Sequence, residues 1–159
     1  MKKKENFKNL YDLGKKIGYD GNYGVVYKGN LKKNKEVQRA IKVIKKITIK
    51  DVLKDWLDKK VEEITNEDMK PFIKGFKNEA KNMELLQGKD KENENAVFFY
   101  DIFITDEELI LIMELCDDSL LNFYISNKDT QYFNTKNIRQ ILIQLNKCFK
   151  IMRKKKNTS

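Results

Sequence analysis

Histidine is missing from the chain altogether, and the two cysteines, Cys116 and Cys148, sit apart inside apolar segments. Those two facts remove the usual zinc ligand sets and make structural metal and disulfides poor explanations of any fold. Pro71 is the single proline, so there is no Pro-rich linker, and no internal repeat is visible. The opening MKKKENFKNL has a positive flank with no apolar run behind it, which disfavours a secretory signal. No stretch is apolar for long enough to cross a bilayer, so a cytoplasmic or nuclear location is expected, without a membrane partner.

What is present is charge. Lys and Arg number 33 against 24 Asp and Glu, a net +9, with 36% of residues charged and 40% hydrophobic. That composition supports one modest core in a chain of 159 residues, hence one domain or part of one. A positive balance leaves polyanionic partners open. The lysines, however, fall in short clusters (Lys15 and Lys16, Lys32 and Lys33, Lys154 to Lys156) interleaved with acids, and read as solvated surface. Tyr19, Tyr23 and Tyr27 could stack on bases, but they alternate along a loop and a strand as core and surface positions do, which disfavours a nucleic-acid binder.

Alternating apolar residues separated by Gly, Asn and Lys-Asn turn signals predict strands at Leu13 to Ile17, Gly24 to Lys28 and Ala40 to Ile44. The period then changes. Ile49, Val52, Leu53, Trp56, Leu57, Val61 and Ile64 fall at steps of three and four, predicting one amphipathic helix. Thr65 and Asn66 can cap a second helix, with Pro71 at an early tolerated position and Gly88 closing it. Two apolar runs, Ala96 to Thr105 and Leu109 to Met113, flank the acidic turn Asp106-Glu107-Glu108 and predict an antiparallel hairpin. Asp118 or Ser119 then caps a helix at Leu120 to Ile125. Asn134 or Thr135 caps a longer one with Ile138, Ile141, Leu142, Leu145, Cys148, Phe149 and Met152 along one side.

The chemistry-bearing text is the loop Gly18-Tyr19-Asp20-Gly21-Asn22-Tyr23-Gly24-Val25-Val26. Missing side chains there would let backbone N–H groups approach phosphate oxygens. An isolated glycine cluster is more often a plain hairpin turn. Order raises its weight: strand, loop, strand, then Arg39-Ala40-Ile41-Lys42 on a third strand, a helix bearing Glu79, and a hairpin ending Leu111-Ile112-Met113-Glu114-Leu115-Cys116.

In that order the chain resembles the protein kinase family, with its G-x-G-x-x-G-x-V loop, strand lysine and helix glutamate, from about Tyr11 to about Lys156. The resemblance implies an α+β fold: a five-stranded antiparallel small lobe with a packed helix, then an incomplete helical large lobe. It divides the chain into an N-terminal extension (1–10), the small lobe (11–115, with a helical insertion at about 49–64) and the hinge with the first large-lobe helices (116–159). Gly21, Gly24 and Val26 match the loop, and Gly18 matches if one extra residue is allowed. Lys42 matches the lysine that holds the α- and β-phosphates of ATP, with Glu79 as its ionic partner and Glu84 as the fallback. Ala40 would line the adenine pocket, Met113 would be the gatekeeper behind it, and the backbones of Glu114 and Cys116 would hold the base.

The implied activity is ATP-dependent phosphorylation of protein Ser or Thr in a complete relative. The text departs from the family at its end. With no histidine there is no H-R-D loop, and neither D-F-G nor A-P-E occurs. The catalytic base and the magnesium ligands would come from those segments. The expectation is therefore a truncated domain that binds ATP weakly and does not catalyse alone, with magnesium needed only in a complete relative. A non-catalytic regulatory module, docking a protein partner through exposed helix faces, is the alternative.

Overall fold

The computed structural model describes residues 6–21, 24–87 and 93–156. The chain divides into two compact units. The first runs to Lys81 and includes Phe99–Leu115; the second comprises Asn82–Phe98 and Cys116 onward.

The first unit is built on a five-stranded antiparallel sheet, β1 (Tyr11–Gly21), β2 (Gly24–Leu31), β3 (Asn34–Lys45), β4 (Phe99–Ile104) and β5 (Glu108–Met113), in the order β1-β2-β3-β5-β4. Each strand expected from alternation is there. β1 to β3 run longer than expected because polar residues at their ends still pair, as in Tyr11 opposite Leu31 and Leu31 opposite Asn34. The β4–β5 hairpin closes where the Thr105 N–H donates to the Glu108 carbonyl at 2.9 Å.

Side-chain alternation gives the sheet two faces. On one, Ile41, Val43, Phe103, Ile110 and Ile112 are buried together with Phe7. Phe7 comes from α1 (Phe7–Leu10), a single turn capped by the Asn6 side chain. Its ring packs edge-on against Phe103 at 5.7 Å and stacks near Tyr11 at 5.8 Å. The segment read as an N-terminal extension thus supplies a core residue. One apolar side chain among lysines and asparagines carries no periodic signal, so the sequence did not show it.

On the other face lie Ala40, Ile44, Leu109 and Leu111, all buried, with two helices over them. These are α2 (Lys46–Leu57) and α3 (Asn66–Gln87). The single helix expected over 49–64 is two elements. Asp58 adopts the left-handed conformation (φ 50°), and its N–H and that of Lys59 both return to the Lys54 carbonyl, which ends α2. Val61 to Glu63 then form a 3-10 turn. Ile64, 1% exposed, is buried from that connection and not from the stripe of α2. α2 has no side-chain cap; instead the Lys46 N–H donates to the Glu107 carbonyl in the hairpin turn.

α3 begins with a reciprocal cap. The Asp68 carboxylate accepts from the Thr65 N–H (2.8 Å) and hydroxyl (2.7 Å), while the Thr65 oxygen accepts from the Asp68 N–H at 3.3 Å. Pro71 lies past the first turn, not within it, and removes the N–H that would reach the Glu67 carbonyl. Pro71 and Glu67 are both exposed. The expected closure at Gly88 lies outside the described residues.

The second unit contains the last turn of α3, α4 (Leu120–Asn127), a 3-10 turn at Gln131–Phe133 and α5 (Thr135–Lys156). Of the two caps left open for each helix, Ser119 accepts from the Asn122 N–H and Asn134 from the Asn137 N–H. Asn93 is buried here, donating to the Leu86 carbonyl at 3.1 Å and to the Cys148 sulfur at 3.8 Å, and accepting from the Asn95 N–H. The bond to Cys148 joins the stretch 82–98 to α5 within the second unit. No helix among the described residues is long and apolar enough to cross a membrane.

Candidate functional site

Register decides which residues of the first unit can act together. Val26 lies opposite Lys42 across β2 and β3, Lys42 opposite Leu111 across β3 and β5, and Ala40 opposite Met113. Directly opposed residues point to the same face. Val26, Ala40, Lys42 and Met113 therefore share one face, the face that carries α3, while Ile41 and Val43 point into the opposite core.

α3 brings Glu79 to that face. The Lys42 ammonium donates to the Glu79 carboxylate at 2.9 Å (Oε1) and 3.3 Å (Oε2). The lysine side chain is 24% exposed and the glutamate 44%, so both groups keep contact with solvent. Glu79 sits on the α3 face that also buries Phe76 and Ala80, at steps of three and one. Glu84, weighed as its substitute, is exposed and lies in the second unit.

The glycine-bearing hairpin joins β1 to β2, with Gly21 opposite Gly24 at its mouth. Asn22 and Tyr23 lie outside the described residues. Between the pairs Ile17–Val26 and Gly21–Gly24, β1 advances four residues and β2 only two, so β1 carries the surplus as an irregularity. Gly18 falls inside it, and the surplus there is two residues. Gly24 has φ 137°, and a Cβ there would meet the Val43 carbonyl oxygen at 2.7 Å and the Ile44 side chain at 2.8 Å. Glycine is thus required at Gly24 by both conformation and space.

Glu114 follows Met113 at the end of β5, within the first unit. Cys116 begins the second unit, is exposed and forms no disulfide. Sequence reading missed Arg39, whose guanidinium stands 3.8 Å from the centre of the Tyr100 ring. No spacing rule links β3 to β4 at that separation, since β5 lies between them in the sheet. Among the described residues no cluster of three or more Asp, Glu, Cys or His could hold a metal ion.

No family model matches the sequence. Among solved structures, the crystal structure of the kinase domain of PF14_0431 is similar over 92% of this chain, with a TM-score of 0.64 and 24% identity. The chain spans 36% of the length of that structure. The likeness is one of fold: the chain is an α+β protein with a kinase-like architecture, its antiparallel sheet fitting the small lobe of a kinase domain.

Proposed function

We propose that the chain holds ATP as the nucleotide-binding half of a protein kinase-like phosphotransferase. The observation that carries this reading is the register that sets Val26, Ala40 and Met113 on the same sheet face as Lys42, whose ammonium is held by Glu79. A flat, apolar base suits the three uncharged side chains. The anionic phosphates suit the ammonium, which still has donors to offer beyond those taken by the carboxylate. Gly18, Gly21 and Gly24 would bring backbone N–H groups to the phosphate oxygens.

Glu79 in this reading positions Lys42. A long, flexible ammonium stem is ordered before the ligand arrives, which lowers the entropy lost on binding. Transfer to a protein Ser or Thr hydroxyl would require a base and magnesium ligands of the H-R-D and D-F-G type, which these 159 residues do not contain. Phosphorylation is accordingly proposed for a polypeptide that combines this unit with those segments.

Isothermal titration of the chain with ATP tests the reading. Weak binding is expected, little helped by magnesium and reduced at least tenfold by Lys42→Ala, the order of a lost charge-assisted hydrogen bond of about 1.5 to 3 kcal/mol. Tight binding indifferent to that substitution would reject the assignment of Lys42.

A further inference from the structure

No Asp or Glu occurs between Thr135 and Lys156, although lysine and arginine are frequent there. Along this helix, α5, the exposed apolar residues Ile138, Leu142, Leu145, Phe149 and Met152 recur at alternating steps of four and three, the seven-residue repeat of a helix-pairing seam. The seam runs for about 21 Å at about 1.5 Å per residue. Among the exposed large apolar residues of α5, only Ile143 lies off it. With about 3.6 residues a turn, one border of the seam is formed by Arg139, Asn146 and Arg153, all exposed. The other border, Ile141 and Cys148, is half-buried in the second unit, Cys148 against Asn93. No ion pair among the described residues engages Arg139 or Arg153.

Charge and width separate the three kinds of occupant that cover such a seam. A second copy of α5 sets arginine beside arginine when the two helices run antiparallel, and offers no carboxylate to either arginine when they run parallel. A lipid surface takes a broad apolar face sunk about 5 to 10 Å into the headgroup boundary, whereas this seam is narrow and the flank beside it is occupied by protein. A partner helix with an apolar heptad and Asp or Glu along its border meets both features, knobs for the seam and carboxylates for two arginines that can bind them bidentately. We infer that the exposed seam of α5 pairs with an acidic amphipathic helix of another protein. The inference does not rest on the nucleotide reading, because α5 lies in the second unit while Lys42 and Glu79 lie in the first.

The probe is a labelled peptide of about four heptads with Leu at both seam positions and Glu at both bordering positions of each heptad, followed by fluorescence anisotropy as the full chain is titrated in. The same peptide with Lys for Glu is its control. Saturable binding of the Glu peptide is expected, at least about tenfold tighter than that of the Lys peptide and weakening as salt rises. Arg139→Glu with Arg153→Glu should reverse the preference, and Leu142→Gln with Phe149→Gln should abolish binding of both peptides. Absence of saturable binding, equal affinity for the two peptides, or an unchanged preference in the arginine variant overturns the pairing. If circular dichroism shows the Leu142 and Phe149 variant to be unfolded, the arginine variant, altered only at exposed positions, decides. Tighter binding to phosphatidylserine vesicles than to the Glu peptide overturns the proposal in favour of a lipid surface. A homodimer in sedimentation equilibrium that is tighter than the peptide complex overturns it in favour of a second copy.

Discussion

The ammonium of Lys42 on β3 and the carboxylate of Glu79 on α3, thirty-seven residues apart in sequence, meet at 2.9 Å. Both side chains keep contact with solvent, and an ion pair of that kind contributes only about 0 to 1 kcal/mol to stability. Glu79→Ala should therefore leave the urea midpoint of the chain almost unchanged while weakening ATP binding, because the lysine loses its orientation and keeps its charge. A large fall in stability with ATP affinity intact would instead make the pair a structural brace.

Two glycines should respond to alanine with opposite signs. Gly24→Ala forces a Cβ against the Val43 carbonyl at a backbone angle (φ 137°) that side chains rarely adopt, and a loss of about 1 to 3 kcal/mol is expected. Gly75→Ala places its Cβ in open space within α3 and should gain about 0.5 to 1 kcal/mol. Denaturant melts of the two variants beside the parent check both. Equal signs would show that one of these backbone environments is misassigned.

The pattern of these sites explains what could be read from the text. Alternation revealed β1 to β3, and two apolar runs about an acidic turn revealed β4 and β5, the latter buried on both faces from Leu109 to Ile112, while the pairing of Lys42 with Glu79 was legible through the resemblance that the order of elements carries. Register was not. That Val26 opposes Lys42 and Ala40 opposes Met113 depends on how β1 takes up its surplus residues and on pairing between strands distant in sequence. The end of α2 was hidden as well, because apolar residues continue at helical spacing through Val61 and Ile64 while Asp58, with its left-handed backbone, reverses the chain. Phe7 and Arg39 are isolated positions in the text, one a core ring packed on Phe103 and Tyr11 and the other a cation over Tyr100, and isolated positions leave no periodic trace.

Acid should loosen the start of α3 through one carboxyl. Hydrogen bonding from Lys59 at 2.9 Å, then from the backbone and hydroxyl of Thr65, holds Asp68 well below the usual carboxylate range. A depressed folded value means that the stabilisation is fully present above the unfolded value of about 3.9 and is lost as pH falls from there through the folded value. Asp68→Asn should accordingly flatten the dependence of thermal stability on pH below about 4, with little change in its slope at neutral pH. Hydrogen exchange of the amides of Asn66 to Met69 provides the local readout. An acid limb identical in the variant and the parent would move the effect to other carboxylates.

The apolar stripe expected on the last helix is present, and much of it is open. Along α5, Ile138, Leu142, Leu145, Phe149 and Met152 follow one another at steps of four and three and are 43%, 59%, 47%, 57% and 44% exposed. Ile141 and Cys148, on the adjoining flank, are half-buried, the latter against Asn93. The helix thus packs by one flank and presents the next to solvent. A stripe of this kind acts as a contact surface for whatever covers it, or as a route to self-association when nothing does. For the polypeptide of residues 1–159 alone, concentration-dependent association and dye-accessible apolar surface are expected. The paired substitution Leu142→Gln and Phe149→Gln should reduce both. Because these side chains face water, the same pair should shift stability by no more than about 0.5 kcal/mol per site. Light scattering over a concentration series, with a urea melt of each protein, separates the possibilities. Reduced association at unchanged stability identifies the stripe as a surface, whereas a melt that collapses would place Leu142 and Phe149 in the core of the second unit.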